Sequence, residues 1–345
     1  MRIATYNIEW FASLFDNDNN LTRDKEWSGR HDVTREAQAD AIATVMQAID
    51  ADAIMIIEAP NTGKSQHTVT ALQNFVQAYD LRQTAALIGF PNDTQQEIAL
   101  LYDPTKMDAY HDPKGRESGP DGSRVAPRFD GLFKLDVDVD DRPDIIEFSK
   151  PPLEIVVTPK GDGPELRLIG VHAKSKAPHG ARNDQEAARI SIANRRKHLA
   201  QSIWLRQRVD DMLDDGEHLI VLGDFNDGPG LDEYEELFGQ SGVEIVMGNA
   251  KPINRRLFDP SAYMALQSHF AASPTTARFY DHRTKTYLNA LLDYIMISPS
   301  LRALGKHEWT IWHPFNHPEC YQDKKVQQAL LTASDHFPVV LDLKF

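Results

Sequence analysis

Near the end of this 345-residue chain, Ser334-Asp335-His336-Phe337 runs straight into the apolar stretch Pro338-Val339-Val340-Leu341. Short apolar runs rich in β-branched residues read as buried strands, and a polar cluster at the mouth of one sets side chains at the sheet edge. The same combination recurs along the chain. Arg2-Ile3-Ala4-Thr5-Tyr6-Asn7-Ile8-Glu9-Trp10 opens it, and Asp52-Ala53-Ile54-Met55-Ile56-Ile57-Glu58 follows after a helical stretch. Leu166-Arg167-Leu168-Ile169-Gly170-Val171-His172 leads into Ala173-Lys174-Ser175-Lys176. His218-Leu219-Ile220-Val221-Leu222-Gly223-Asp224-Phe225-Asn226-Asp227 comes next, and Leu291-Leu292-Asp293-Tyr294-Ile295-Met296-Ile297 precedes the terminal cluster.

Between these runs the apolar period changes from two to that of a helix. Over 34–49, Ala37, Ala41, Ile42, Val45 and Ile49 share one stripe, with Thr34 as N-cap, which predicts a helix lying on a sheet. A longer helix is expected over 182–213 from Ala188, Ile192, Leu199, Ile203, Leu205 and Met212, ended by Gly216. The alternation of strand, helix and strand indicates α/β layers. Two polar connections stand out for their length, 16–33 with Trp27, Arg30 and His31, and 112–128 with several Gly and Pro. Long loops beside a site more often carry specificity than stability.

Bulk properties narrow the classes. The chain is long enough for a large core and 41% hydrophobic, and no internal repeat or low-complexity linker divides it. Because polar clusters at both ends are needed together, one domain over 1–345 is expected. The net charge of −14 disfavours sequence-independent binding to long nucleic acid. Setting aside Glu9, Glu58, Asp224, Asp293 and Asp335, which a cation-binding site would require, still leaves about −9, so local basic strips would have to do any docking. Cys320 is the single cysteine, which rules out an intrachain disulfide and a thiolate metal cluster. No stretch approaches 18 apolar residues, so no transmembrane segment is expected. If Met1 is the native start, the expectation is a soluble cytoplasmic protein.

Taken in order, the clusters around Asn7 and Glu9, Glu58, His172, Asp224 and Asn226, Asp293, and Asp335-His336 resemble the endonuclease/exonuclease/phosphatase superfamily. The likeness spans positions 5 to 336. One departure is local: the family commonly has Gln before the glutamate, whereas Ile57 precedes Glu58 here and Ala59-Pro60 follows. The resemblance implies a four-layer α/β sandwich of two central mixed β-sheets flanked by helices, with the site at one edge. It also implies metal-dependent hydrolysis of a phosphoester.

These residue types suit that chemistry. Asn7, Glu9 and Glu58 supply an amide oxygen and two carboxylates, the donors a hard ion wants, so Mg2+ is the expected cofactor with Mn2+ as substitute. In a strand, Asn7 and Glu9 would point to one side, as would Asp224 and Asn226 beyond theirs. By the resemblance, Glu58 is the principal metal ligand, and Asp335 is the last acidic group, placed to hold a second ion. Asp224 orients or deprotonates the attacking water, and Asn226 holds the phosphate. Asp293 pairs with His336 and keeps it a fixed cation near neutral pH. His172 donates to phosphate from the other side or protonates the leaving oxygen.

Substrate contacts are sought among basic and aromatic residues. Lys174 and Lys176, two apart, are expected to share a face towards substrate phosphate, with a solvated strand end as the plain alternative. Arg278, Tyr280 and Arg283 belong to a stretch that interleaves aromatics and bases, which suits both stacking and phosphate contact; Arg30 and His31 are a second candidate. The six basic residues Arg189, Arg195, Arg196, Lys197, Arg206 and Arg208 are expected on a solvated helix face. Gly63-Lys64-Ser65 lacks the glycine a P-loop needs at position 58. His313, His317, Glu319 and Cys320 lack the paired second half of a zinc site. The leading expectation is a nuclease or phosphodiesterase, endo- or exonucleolytic, because His172-Ala173-Lys174-Ser175-Lys176 looks like the corresponding stretch of bacterial nuclease-like members. The alternatives are a phosphatase or phosphodiesterase on a small or lipid phosphoester, for which the aromatics at 309–315 are the only membrane-facing hint, and a catalytically silent binding protein.

Overall fold

A computed structural model describes residues 1–92, 96–136, 143–178, 180–229, 238–267, 274–281 and 285–345. Fifteen strands are named here in chain order. The first sheet takes β1 (Arg2–Asn7), β2 (Ala53–Ala59), β3 (Ala85–Ile88), β4 (Glu97–Tyr102), β14 (Glu308–Ile311) and β15 (Val339–Asp342), in the order β14-β15-β1-β2-β4-β3. The second takes β5 (Met107–His111), β8 (Leu153–Pro159), β9 (Leu166–His172), β10 (Leu219–Asp224) and β13 (Asp293–Ile297), in the order β13-β10-β9-β8-β5. Two small hairpins, β6 (Phe133–Leu135) with β7 (Asp144–Ile146) and β11 (Ala277–Asp281) with β12 (Thr286–Ala290), stand apart. Each large sheet is mixed. Its one parallel pair, β1/β2 or β9/β10, is flanked by antiparallel neighbours.

The period-two pattern sorts the core into layers. Met55 and Ile57 of β2 join Ile155, Leu168, Ile220 and Ile295 in the core between the sheets, while Ile54 and Ile56 face the opposite way. There they meet α1 (Arg35–Ile49), α2 (Thr68–Tyr79) and α8 (Lys324–Ala333). On the far side, Ile169, Val171, Val221 and Met296 pack on α3 (Asp184–Asp214) and α4 (Gly242–Met247). The result is a helix–sheet–sheet–helix sandwich, as expected. The remaining short helices are α5 (Pro260–Gln267), α6 (Pro299–Arg302) and α7 (Pro318–Gln322). Among the described residues, no helix is long and apolar enough to cross a membrane.

Local signals hold with instructive shifts. The Thr34 side chain caps α1 by accepting from Ala37 N, but Ala37 itself is exposed. The buried stripe runs instead through Gln38, Ala41, Ile42, Val45 and Ile49. Gln38 is buried because its amide donates to Glu9 O at 2.7 Å and Ala333 O at 3.1 Å. The basic residues of α3 are not one solvated face. Arg195, Arg206 and Arg208 are buried, Arg208 donating to Glu154 at 2.5 Å and Arg206 to Val246 O at 3.0 Å. Period counting cannot anticipate an arginine whose partner lies on another element.

Candidate active site

The parallel pairs decide where the site lies. Parallel strands end at the same edge, so β1 and β2 deliver Asn7, Glu9 and Glu58 together, and β9 and β10 deliver His172 and Asp224 side by side. Antiparallel neighbours start at that edge: Asp293 opens β13 opposite Asp224, Gln96 precedes β4, and Ser334–His336 precede β15. The two edges meet across the sandwich, where Asn7 Nδ2 donates to Asp224 Oδ2 at 2.9 Å. A cavity of about 800 Å³ there is lined by Asn7, Glu9, Glu58, His172, Lys176, Asp224, Asn226, Asp335 and His336. Nine sequence-predicted residues thus share one hollow.

Glu58 reaches the cavity through a break in the ladder. The register of β2 with β4 shifts between Ile57 and Ala59, and Glu58 has φ of 62°. A bulge of this kind re-aims one side chain without ending the strand, and a positive φ at a non-glycine residue is strain of the sort found at functional sites. Gln96, itself at φ 65°, donates to Glu58 Oε2 at 2.6 Å and accepts from Lys150 Nζ at 2.6 Å. Burial lowers the Lys150 pKa although Glu58 and Asp224 oppose it, and burial raises that of Glu58 against the pull of Lys150. Neither Gln96 nor Lys150 was singled out from sequence. A lysine in a loop far from any strand motif gives no local signal.

Asp224 and Asn226 do meet, but by a turn and not by the strand pleat. Asn226 adopts φ of 48°, its N–H donates to Asp224 Oδ1 at 2.7 Å and its side-chain amide donates to Ala173 O at 3.1 Å. Gly223 before them has φ of 135°, and a Cβ there would collide with the Val171 carbonyl, so the glycine is a requirement of close strand approach. Asp293 Oδ2 lies 2.8 Å from His336 Nδ1. Burial disfavours the His336 charge, yet Asp293, Asp224 and Asp335 outweigh it and hold the ring protonated well above its ordinary range. His172 is the opposite case: burial, then Lys150 and His336, push it well below that range. His172 Nε2 lies 3.8 Å from Asp224 Oδ2. Burial also pushes the Asp224 carboxyl upward, with Asp293 adding to the effect.

Ser334 stitches the terminal cluster to the first strand, donating to Asn7 O at 2.8 Å and accepting from Glu9 N at 3.1 Å and His336 N at 3.2 Å. Glu9 Oε2 is engaged by the Arg30 guanidinium. Burial and the nearby Asp335 and Glu58 raise the Glu9 pKa, with Arg30 opposing. The oxygens fit a hard cation. Asn7 Oδ1 and Asp335 Oδ1 are buried without hydrogen-bond partners, beside carboxylates whose mutual repulsion a divalent ion would relieve. By spacing alone Asp224, Asp293 and His336 could also hold an ion, their ligand atoms lying within 4.8 Å of one another. In that set the His336 Nδ1 and Asp293 Oδ2 atoms are already joined by a hydrogen bond.

The remaining candidates separate. Lys174 and Lys176 do not share a face, because β9 ends at His172. Lys176 pairs with buried Asp227, which also accepts from Gly242 N at 2.6 Å, whereas Lys174 lines a neighbouring cavity. Arg278 and Tyr280 line a third; Arg283 lies outside the described residues. Among the aromatics near 309–315, Trp309 donates to Ile295 O at 2.8 Å and Trp312 stacks on His317, both partly buried, while Phe315 is exposed. His313 Nδ1 accepts from Phe315 N and Asn316 N, closing its loop.

Two mixed sheets back to back, with this polar set at one edge, define a class of phosphoester hydrolases. The chain belongs to the Endonuclease/Exonuclease/phosphatase family, which it matches over residues 4–336. Among solved structures, the 3'-5' exonuclease (NExo) from Neisseria meningitidis is similar at 15% identity, with 100% of each chain covered and a TM-score of 0.51. The human Nocturnin catalytic domain with bound sulfate anion is similar at 15% identity, covering 100% of this chain and 94% of that one, with a TM-score of 0.50. At such identities the likeness is one of fold. No curated protein matches the sequence.

Proposed function

We propose that the chain is a divalent-metal-dependent phosphodiesterase acting on nucleic acid, with residues 1–345 forming one domain. The observation that carries the substrate class is local charge. Lys150 lines both the catalytic cavity and a second one of about 590 Å³, where Lys174, Arg196 and Lys197 join it and outnumber the carboxylates of Asp144 and Glu147. On a chain of net charge −14, a basic trough opening from the catalytic hollow suits a polyanion longer than one phosphate.

Asn7, Glu9, Glu58 and Asp335 would hold Mg2+ or Mn2+, which supplies Lewis acidity at the phosphoryl oxygens. Asp224, its carboxyl made more basic by burial, accepts the proton of the attacking water. Asn226 fixes the Asp224 carboxylate through its backbone N–H and its side-chain amide, which also donates to Ala173 O. His336, held cationic by Asp293, and Lys150 offer positive charge where negative charge develops on the phosphoryl oxygens in the transition state. Neutral His172 donates a hydrogen bond beside Asp224.

Hydrolysis of plasmid DNA, single-stranded RNA and bis-p-nitrophenyl phosphate, each with magnesium, manganese or chelator, tests this reading. The expected outcome is metal-dependent cleavage of a polymer. Cleavage of the small ester alone would transfer the substrate to small phosphoesters and overturn the nucleic-acid assignment.

A further inference from the structure

A cavity of about 560 Å³ opens beside the catalytic one, and Glu9 and Asp335 line both. Its size falls in the range of pockets that take a small-molecule unit. Two segments remote in sequence wall it: Arg30 from the long first loop, and Arg278, Tyr280 and Tyr287 from the β11–β12 hairpin.

Each wall is built to a position. Gly29 lies so close to the Trp10 indole that any Cβ would collide with it. Its N–H donates to Ser13 Oγ at 3.2 Å, and Arg30 N donates to Ser28 Oγ at 3.1 Å. This turn carries the Arg30 guanidinium onto Glu9 and, at 3.3 Å, onto Leu331 O. On the hairpin, Arg278 N donates to Asp335 O at 2.8 Å, and Ala277 bridges His336. The Arg278 guanidinium sits 3.9 Å from the Tyr287 ring centroid and 4.9 Å from that of Phe315, with Tyr280 5.1 Å from Tyr287. Arg278 Nε is buried without a hydrogen-bond partner, and among the described residues no carboxylate pairs with Arg278. Arg30 neutralises Glu9, and Asp335 is shared with the catalytic cavity, which leaves Arg278, set beside exposed aromatic rings, as the cation of this hollow that no carboxylate among the described residues pairs.

A planar cation next to exposed rings recognises a phosphate joined to a flat aromatic group. Resting on the nuclease reading above, we propose that this cavity is a nucleotide subsite adjoining the scissile phosphate. It holds one unpaired base on Tyr280 and Tyr287 and its phosphate on Arg278, and so selects single-stranded polynucleotide or unpaired ends. A base paired within a duplex has no free face for the rings.

The test compares KM and kcat for a single-stranded oligonucleotide and its duplex, using wild type, Arg278→Gln, Tyr287→Ala and Tyr287→Phe. Tyr287 is exposed, so its variants are expected to fold. The subsite predicts a preference for the single strand in wild type and a rise in KM of about tenfold in Arg278→Gln and Tyr287→Ala, with kcat falling less. Tyr287→Phe, which keeps the ring, restores the wild-type KM. If polynucleotide is cleaved but KM is unchanged in both variants, or the duplex is cut as readily, the subsite is overturned and the nuclease reading stands. If wild type cleaves no polynucleotide, the nuclease reading falls and the subsite with it.

Discussion

Asp293 sets the charge of His336, and that charge decides what the ring can do for a phosphoryl group. The carboxylate raises the ring's pKa against burial, so removing it lowers that pKa and the protonated form is lost at lower pH. Asp293→Asn is therefore expected to cut turnover by about 100-fold and to move the alkaline limb of the pH–rate profile to lower pH; an unmoved limb would separate His336 from Asp293. Such pairings are legible in sequence only through the whole ordered set, since a single Asp-His is common on surfaces. Glu58 was found despite its departing neighbours, because the strand before it is unmistakable, but the bulge that aims it gave no sign. Gln96 and Lys150 were missed for a physical reason: their roles come from strand order and loop closure, which no local period encodes.

At the scale of elements, the strands were legible because their faces are buried on both sides or alternate cleanly, and α1 because a cap and a stripe agree. Helix α3 shows the limit. Its arginines look like a solvated face until β8, α4 and the chain at Pro127 and Arg255 cover them, and Arg208 with Glu154 becomes a fully buried pair. Breaking such a pair leaves one uncompensated charge in the core. Arg208→Met should lower stability by about 3–5 kcal/mol, and the further change Glu154→Leu should recover much of it. Denaturant unfolding reads this, and wild type should unfold in one transition if 1–345 is one domain. A stability unchanged by Arg208→Met would mean that the pair is hydrated.

Across the whole molecule, the first and last strands pair with each other, which is why clusters from both termini can reach one site. Overall charge misleads where local charge decides: a chain of −14 gathers Lys174, Arg196 and Lys197 in a cavity that shares Lys150 with the catalytic hollow. The central claim is that this edge holds a divalent ion on Glu58 and a cationic His336 opposite it. The most direct measurement is cleavage of the preferred substrate as a function of magnesium concentration by wild type, Glu58→Ala and His336→Ala. The account predicts saturable magnesium dependence in wild type, a loss of about 100- to 1,000-fold in kcat for His336→Ala, and for Glu58→Ala a comparable loss with a much weaker metal requirement curve. Full activity in chelator, or either variant retaining wild-type kcat, would contradict it.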